Sequence, residues 1–314
     1  MSKPMNRTHI VLVFLCCLLM HGCKTRSATE GNKINVVCTT TMIYDAIQQI
    51  FDTTLNVYAL MKPGTDPHTY KASAGEVKLL KASDVILYNG LNLEGKIAQT
   101  LENLKKTNKS IAVTDFLNQD DLIFIDEKIP DPHVWFDIPL WQMAIQSVVL
   151  EIVSRYKNYF SMEQLDYISK NEENYLVELT EAHLEAIRMF EMIPQEKRIL
   201  ITAHDAFNYF GKAYNFQVLG LQGISTASEH GLKDIIDMIN LIVENRIPAI
   251  FIESTIQEKS VKAVIEGCKS KGYSLKLGGV LYSDATGPKH LGHHTLAGAF
   301  RHNVHQIYNA LKDE

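Results

Sequence analysis

The sequence predicts an α/β protein of two lobes, each with a parallel four-stranded sheet flanked by helices, joined by one long backbone helix. Three observations predict it. From Ile34 onward, short apolar runs alternate with amphipathic stretches, the pattern of βαβ units and parallel strands. That alternation breaks at Ser161–Ile193, a helical stretch without Gly or Pro, and then restarts. About four strand-like runs fall on either side of the break. The chain therefore divides into an N-terminal lobe over 34–160, a linking helix over 161–193 and a C-terminal lobe over 194–314. Ligands of open parallel sheets sit beyond the carboxyl ends of the strands, so two such lobes put the site in the cleft between them.

The residues before Ile34 do not belong to this fold. Lys3 and Arg7 precede the apolar run Ile10–Met20, which is followed by His21-Gly22-Cys23. A basic start, a short apolar region and a small residue before Cys describe a lipoprotein-type signal over 1–22, with Cys23 as the lipidated residue. Met20 stands where such signals usually have Leu. The apolar run is short for a membrane span, and the polar stretch 23–33 reads as a tether. The expected product is exported, anchored to a bacterial membrane by its N-terminal lipid, and faces the periplasm or the cell exterior. Losing Lys3 and Arg7 with the signal takes the formal net charge from −5 to −7. A mildly acidic exported chain argues against nucleic acid and for a cationic ligand. Apart from Cys23, only Cys38 and Cys268 remain, one in each lobe, so no disulfide framework is expected.

In the first lobe, strands are expected at Ile34–Thr40, Leu55–Met61, Asp84–Tyr88 and Ile111–Thr114. Helices are expected at Met42–Phe51, Ala74–Ala82, Leu93–Leu104 and Pro139–Tyr156. In the linking stretch, Leu165, Ile168, Tyr175, Leu176, Leu179, Ile187 and Phe190 form a stripe at helical spacing. Ser161 makes a capped start and Pro194 a stop. About thirty residues at roughly 1.5 Å each give a rod of about 45 Å. The second lobe repeats the pattern. Strands are expected at Arg198–Thr202, Phe216–Leu221, Ala249–Glu253 and Tyr273–Leu281, and helices at Phe207–Tyr214, Leu232–Asn245, Val261–Lys271 and Thr295–Leu311.

Four loops put metal-type ligands at the strand ends. Asp-Pro-His occurs twice, ending at His68 and at His133, each time in a strand-to-helix loop of the first lobe. Proline fixes its own φ and pushes the preceding Asp toward extended backbone, so each imidazole is presented by a stiffened segment. His204 stands at the tip of the second lobe's first strand and Asp284 just after its last. A lone loop His is usually only solvated, and an Asp beside Ser and Thr-Gly is an ordinary turn residue. Two such residues per lobe at matching strand ends carry more weight. Three neutral imidazoles and one carboxylate suit Zn2+ with four ligands, or Mn2+ if the carboxylate is bidentate. Glu253 ends a strand facing the same cleft and could orient an imidazole from behind. Trp135 and Phe136 are read as packing the lobe interface and keeping the site dry. His290, His293 and His294 could form an auxiliary metal-capturing patch, though a solvated loop is the plainer reading. His183, His230, His302 and His305 are read as structural.

The segments GTDPHTYKASAGEVKLLKASDVILYNGLNLE (64–94), DPHVWFD (131–137), ITAHDAFNYFGKAYNF (201–216), GLQGISTASE (220–229), IFIEST (250–255) and LYSDATG (281–287) together carry a resemblance. Over nearly the whole mature chain they resemble the metal-ion solute-binding proteins of ABC transporters, the zinc/manganese family of the TroA, ZnuA and PsaA type. The resemblance implies that His68, His133, His204 and Asp284 are the ligands and that the long helix is the rigid backbone between the lobes. It further implies that the metal is cargo for a membrane permease and that Zn2+ or Mn2+ is carried. The protein is expected to work as a monomer. Glu in place of His204 goes with manganese in that family, and this chain lacks the His/Asp/Glu-rich insertion of many zinc-specific members.

Two alternatives belong to other classes. A secreted zinc hydrolase would need an open coordination position and a general base. The sequence has no HExxH helix and no Gly-x-Ser-x-Gly elbow. An adhesin role has no residues to speak for it.

Overall fold

The computed structural model describes residues 33–107, 109–125, 128–227 and 231–312. The signal at 1–22, Cys23, nearly all of the tether and His230 lie outside the described residues. From Ile34 onward the chain forms one compact unit.

Its first half carries a sheet of four parallel strands in the order β2-β1-β3-β4: β1 Asn35–Cys38, β2 Asn56–Ala59, β3 Val85–Tyr88 and β4 Ser110–Ala112. Burial on both faces explains the unbroken apolar runs of β1 and β3. The helices are α1 Thr41–Phe51, α2 Ala74–Ala82, α3 Ala98–Lys105 and α4 Ile138–Arg155. Each of α1, α2 and α4 starts at a side-chain cap: Thr40, Ser73 with Glu76, and Asp137.

The helix expected from Leu93 begins instead at Ala98. Gly90, Leu91 and Asn92 all have positive φ, and the buried Glu94 carboxylate accepts from the backbone N–H of Asn89 and Gly90. That left-handed turn displaces the first helical turn. A small antiparallel pair, β5 Phe124–Ile125 and β6 Ile129–Pro130, lies where a plain loop was expected. Two-residue strands are too short to show an alternation.

The long helix α5 spans Met162–Glu191, 30 residues, and opens with a capping box of Ser161 and Gln164. Its buried stripe is Ile168, Tyr175, Leu179, Ala182, Ala186 and Phe190. After it come β7 Ile199–His204, α6 Asn208–Tyr214, β8 Gln217–Gln222, α7 Leu232–Asn245, β9 Ala249–Glu253, α8 Lys259–Ser270, β10 Lys276–Leu281 and α9 Leu296–Leu311. The four strands of this half are parallel pairs, β7 with β8 and β9 with β10, and β7 lies beside β9.

Helix α5 packs against α1 and α4 from the first half and α6 and α9 from the second. One apolar core runs through all of them, from Val36 and Phe51 through Tyr175 and Phe190 to Phe210 and Phe300. The carboxyl ends of β7, β9 and β10 and the two Asp-Pro-His loops meet beside that core.

Candidate metal centre

The two Asp-Pro-His tripeptides fold alike. Asp66 Oδ1 accepts from the backbone N–H of His68 at 2.9 Å, and Asp131 Oδ1 from that of His133, also at 2.9 Å. An Asp side chain bonding two residues on makes an Asx turn, and the intervening proline leaves no competing N–H. Beyond this the two diverge. Asp131, fully buried, also lies 2.7 Å from Nδ1 of His133, while its Oδ2 accepts from Asn208 Nδ2 at 3.1 Å. Asp66 Oδ2 instead accepts from the hydroxyls of Thr69 and Thr226, the latter in the second half.

His204 is the last residue of β7, and Glu253 the last of the adjacent β9. Glu253 Oε1 accepts from the backbone N–H of His204 at 2.8 Å. Its Oε2 stands 2.6 Å from His204 Nδ1, an ion-pair contact without hydrogen-bond alignment. Asp284 follows β10 on a tight loop. Behind both His133 and His204 a carboxylate stands at Nδ1, which favours a proton there and leaves Nε2 facing the centre.

There the predicted ligands converge. His68, His133, His204 and Asp284 each offer one atom, and these atoms all lie within 4.8 Å of one another. The Nε2 atoms of His68 and His133 are 3.3 Å apart. Asp284 Oδ2 is 3.5 Å from His68 Nε2 and 3.3 Å from His204 Nε2, and its Oδ1 is 3.4 Å from His133 Nε2. All four residues are buried. Both Asp284 oxygens and His204 Nε2 lack a hydrogen-bond partner. Buried lone pairs aimed at one point and left unmatched call for a proton or a cation there. Three nitrogens and a carboxylate are the donor set of borderline divalent ions.

Electrostatics follow the geometry. Burial opposes an imidazolium at His133, but the carboxylates of Asp131 and Asp284 outweigh it and push its pKa up to about 9. At His204 burial again opposes the charge, and Glu253 and Asp284 carry the pKa well above the ordinary imidazole value. Burial alone would raise Asp284, but the facing imidazoles hold it well below the usual carboxylate range.

Aromatic rings pack beside the site. The Trp135 ring stands edge-on to His133 with centroids 5.3 Å apart, and Phe136 stacks on Phe207 at 4.4 Å. His290 and His294 are exposed, whereas His293 is half-buried in an aromatic group with Tyr282 and His302. No second group of three or more His, Cys, Asp or Glu side chains with metal-holding geometry occurs among the described residues. His183 bonds the Tyr214 hydroxyl, His302 the Val280 carbonyl and His305 the Glu185 carboxylate, all structural contacts. Cys38 and Cys268 are free and buried. Sequence reasoning gave no role to Asp131 behind His133. The signal was there in the repeat, because an Asp two residues before a ligand His is placed for an Asx turn.

A family model described as the zinc-uptake complex component A, periplasmic (ZnuA) matches residues 36–310. The chain is 41% identical over 311 residues to the manganese-binding lipoprotein MntA of Bacillus subtilis, covering 98% of this chain and 100% of that protein. It is 27% identical over 267 residues to the manganese ABC transporter substrate-binding lipoprotein PsaA of Streptococcus anginosus, covering 81% and 84% of the two chains. The solved periplasmic zinc-binding protein TroA of Treponema pallidum superposes with a TM-score of 0.86 at 36% identity, covering 90% of this chain and all of that one.

Proposed function

The chain belongs to the ZnuA family of periplasmic zinc-uptake components, and from that membership we propose the following reading of its site. The protein is an extracytoplasmic solute-binding protein that captures a divalent transition metal, Zn2+ or Mn2+, and passes it to an ABC-type permease in the membrane. His68, His133, His204 and Asp284 hold the ion, with Asp131 and Glu253 orienting two of the imidazoles from behind. The observation that carries this is the set of buried, convergent donor atoms within 4.8 Å, three of whose atoms have no hydrogen-bond partner.

The ion is cargo rather than catalyst. Four protein ligands close the coordination shell, whereas a hydrolytic site keeps a position open for water beside a general base. The division into lobes at 34–160 and 194–314 about the linking helix is part of the same reading. So is a monomeric state, since one chain supplies the whole ligand set. Metal analysis of the purified protein tests the assignment: one Zn2+ or Mn2+ per chain is expected, and none in Asp284→Ala. Full metal content in that variant would remove the site.

Selectivity follows from position 204. Zn2+ favours nitrogen and four ligands, and it outcompetes Mn2+ at nearly any borderline site. His204→Glu exchanges nitrogen for oxygen at similar reach. The variant is expected to keep binding metal while its preference for Zn2+ over Mn2+ narrows in a competition titration. A widened preference would take His204 out of the ligand set.

The anchor is proposed at Cys23. No described helix is long and apolar enough to cross a membrane. Cys23→Ser should move the protein from the membrane fraction to the soluble one and leave metal affinity unchanged. Retention of the variant in the membrane would place the anchor elsewhere.

A further inference from the structure

Three of the four ligands are held by an Asp or Glu carboxylate. Asp66 takes the backbone of His68, Asp131 both the backbone and ring of His133, and Glu253 the backbone of His204 with its ring close by. Asp284 has no such support, because neither of its oxygens has a hydrogen-bond partner. Its direction must come from its own main chain, and that main chain is bonded on both sides. Asn303 on α9 grips Tyr282 twice, its Oδ1 accepting from the N–H at 2.8 Å and its Nδ2 donating to the carbonyl at 2.7 Å. The next two bonds come from the first half of the chain. Trp135 Nε1 donates to the Ser283 carbonyl at 3.0 Å, and Thr41 Oγ1 accepts from the Thr286 N–H at 2.7 Å. Thr41 and Trp135 are buried, so water does not replace either bond.

We propose that Trp135 and Thr41 are positioning residues for Asp284: they clamp its loop from the opposite half and so set how fast bound metal is released. The inference rests on Asp284 being a metal ligand. Its physical content is that a carboxylate on a loosened loop samples orientations away from the ion, and each excursion opens the shell. Both clamps cross between the halves and act on the main chain of the Asp284 loop, whereas the cross-half bonds behind His68 and His133 reach those imidazoles only through the side chains of Asp66 and Asp131. Thr41 is suited to the task. Its hydroxyl donates toward Met42 Sδ at 3.4 Å, leaving an oxygen lone pair for Thr286.

The test is stopped-flow transfer of Zn2+ from the loaded full chain to excess chelator. Thr41→Val keeps the shape and removes the acceptor, Thr41→Ser keeps the acceptor, and Trp135→Phe removes the donor. Supporting contacts of this kind change metal binding by roughly 10- to 100-fold, so release about tenfold faster is expected for Thr41→Val and Trp135→Phe. Thr41→Ser should release at the wild-type rate. A lesion that is only structural would lower the melting temperature of the metal-free protein without this split between Val and Ser. Wild-type release from Thr41→Val, or equal acceleration in Thr41→Ser, would overturn the clamp. Asp284→Ala is measured alongside: if it binds metal normally, the ligand assignment fails, whereas if only it loses metal, the clamp alone fails.

Discussion

Saturating Zn2+ or Mn2+ is expected to raise the melting temperature by about 5–10 °C, and His68→Ala to abolish most of that rise. On the proposed assignment the ion binds only where all four ligands are assembled, and the unfolded chain scatters them over more than two hundred residues of sequence. Binding to the folded state alone stabilises it by about 2.7 kcal/mol at a hundred times Kd. For a domain of this size each kcal/mol is worth roughly 2–4 °C. His68 is the informative ligand to remove, because its loop is held through its backbone by Asp66, which alanine preserves. The metal-free variant should therefore fold, and differential scanning calorimetry with and without metal isolates the ligand's share. An unchanged melting temperature of the wild type under saturating metal would remove the site.

Metal affinity should fall as pH drops from about 9, with at least one proton displaced per ion near pH 7. Imidazoles at their ordinary value would place this loss below about pH 6. The structure moves it upward, because carboxylates stand behind both His133 and His204 and Asp284 faces them. They carry His133 to about 9 and His204 well above the ordinary value. His133 is therefore protonated at neutral pH without metal, and the same carboxylate environment favours the protonated form of His204; each such proton must leave before Nε2 can bind. Each displaced proton makes the affinity change roughly tenfold per pH unit. The same shifts set the metal-free stability. Their contribution is fully present below the unfolded imidazole value near 6.5 and is lost as pH rises through about 9. The stabilising increment from metal should grow over that same window. Calorimetric titration in buffers of different ionisation enthalpy counts the protons. No proton release at pH 7, with flat affinity from about pH 7 to 9, would refute these shifts.

Much of this was legible in the sequence, for identifiable reasons. The span of α5 was readable because Ser161 and Pro194 bracket a stretch whose apolar spacing fits only a helix. His68 and His133 stood out because one tripeptide recurs, His204 because it ends a strand of a repeated pattern and Asp284 because it closely follows one. The start of α3 was not legible, because the turn before it depends on a buried carboxylate taking backbone N–H groups. The pair β5–β6 is too short to have a period. The contacts of Thr41 with Thr286 and of Trp135 with Ser283 join residues 245 and 148 positions apart, so no local pattern encodes them.

The apolar core that threads α5 decides how the cleft can open. A hinge works where two bodies share a seam with little apolar surface. Here Phe51, Tyr175, Phe190, Phe210 and Phe300 belong to one continuous cluster. Swinging the halves apart would wet part of it, and a few hundred Å2 of newly wetted apolar surface costs on the order of 5–10 kcal/mol. That equals the entire stability of many domains. That cost opposes a wide swing of the halves and favours exchange of the ion at the rim, through the loops bearing His68, His133 and Asp284.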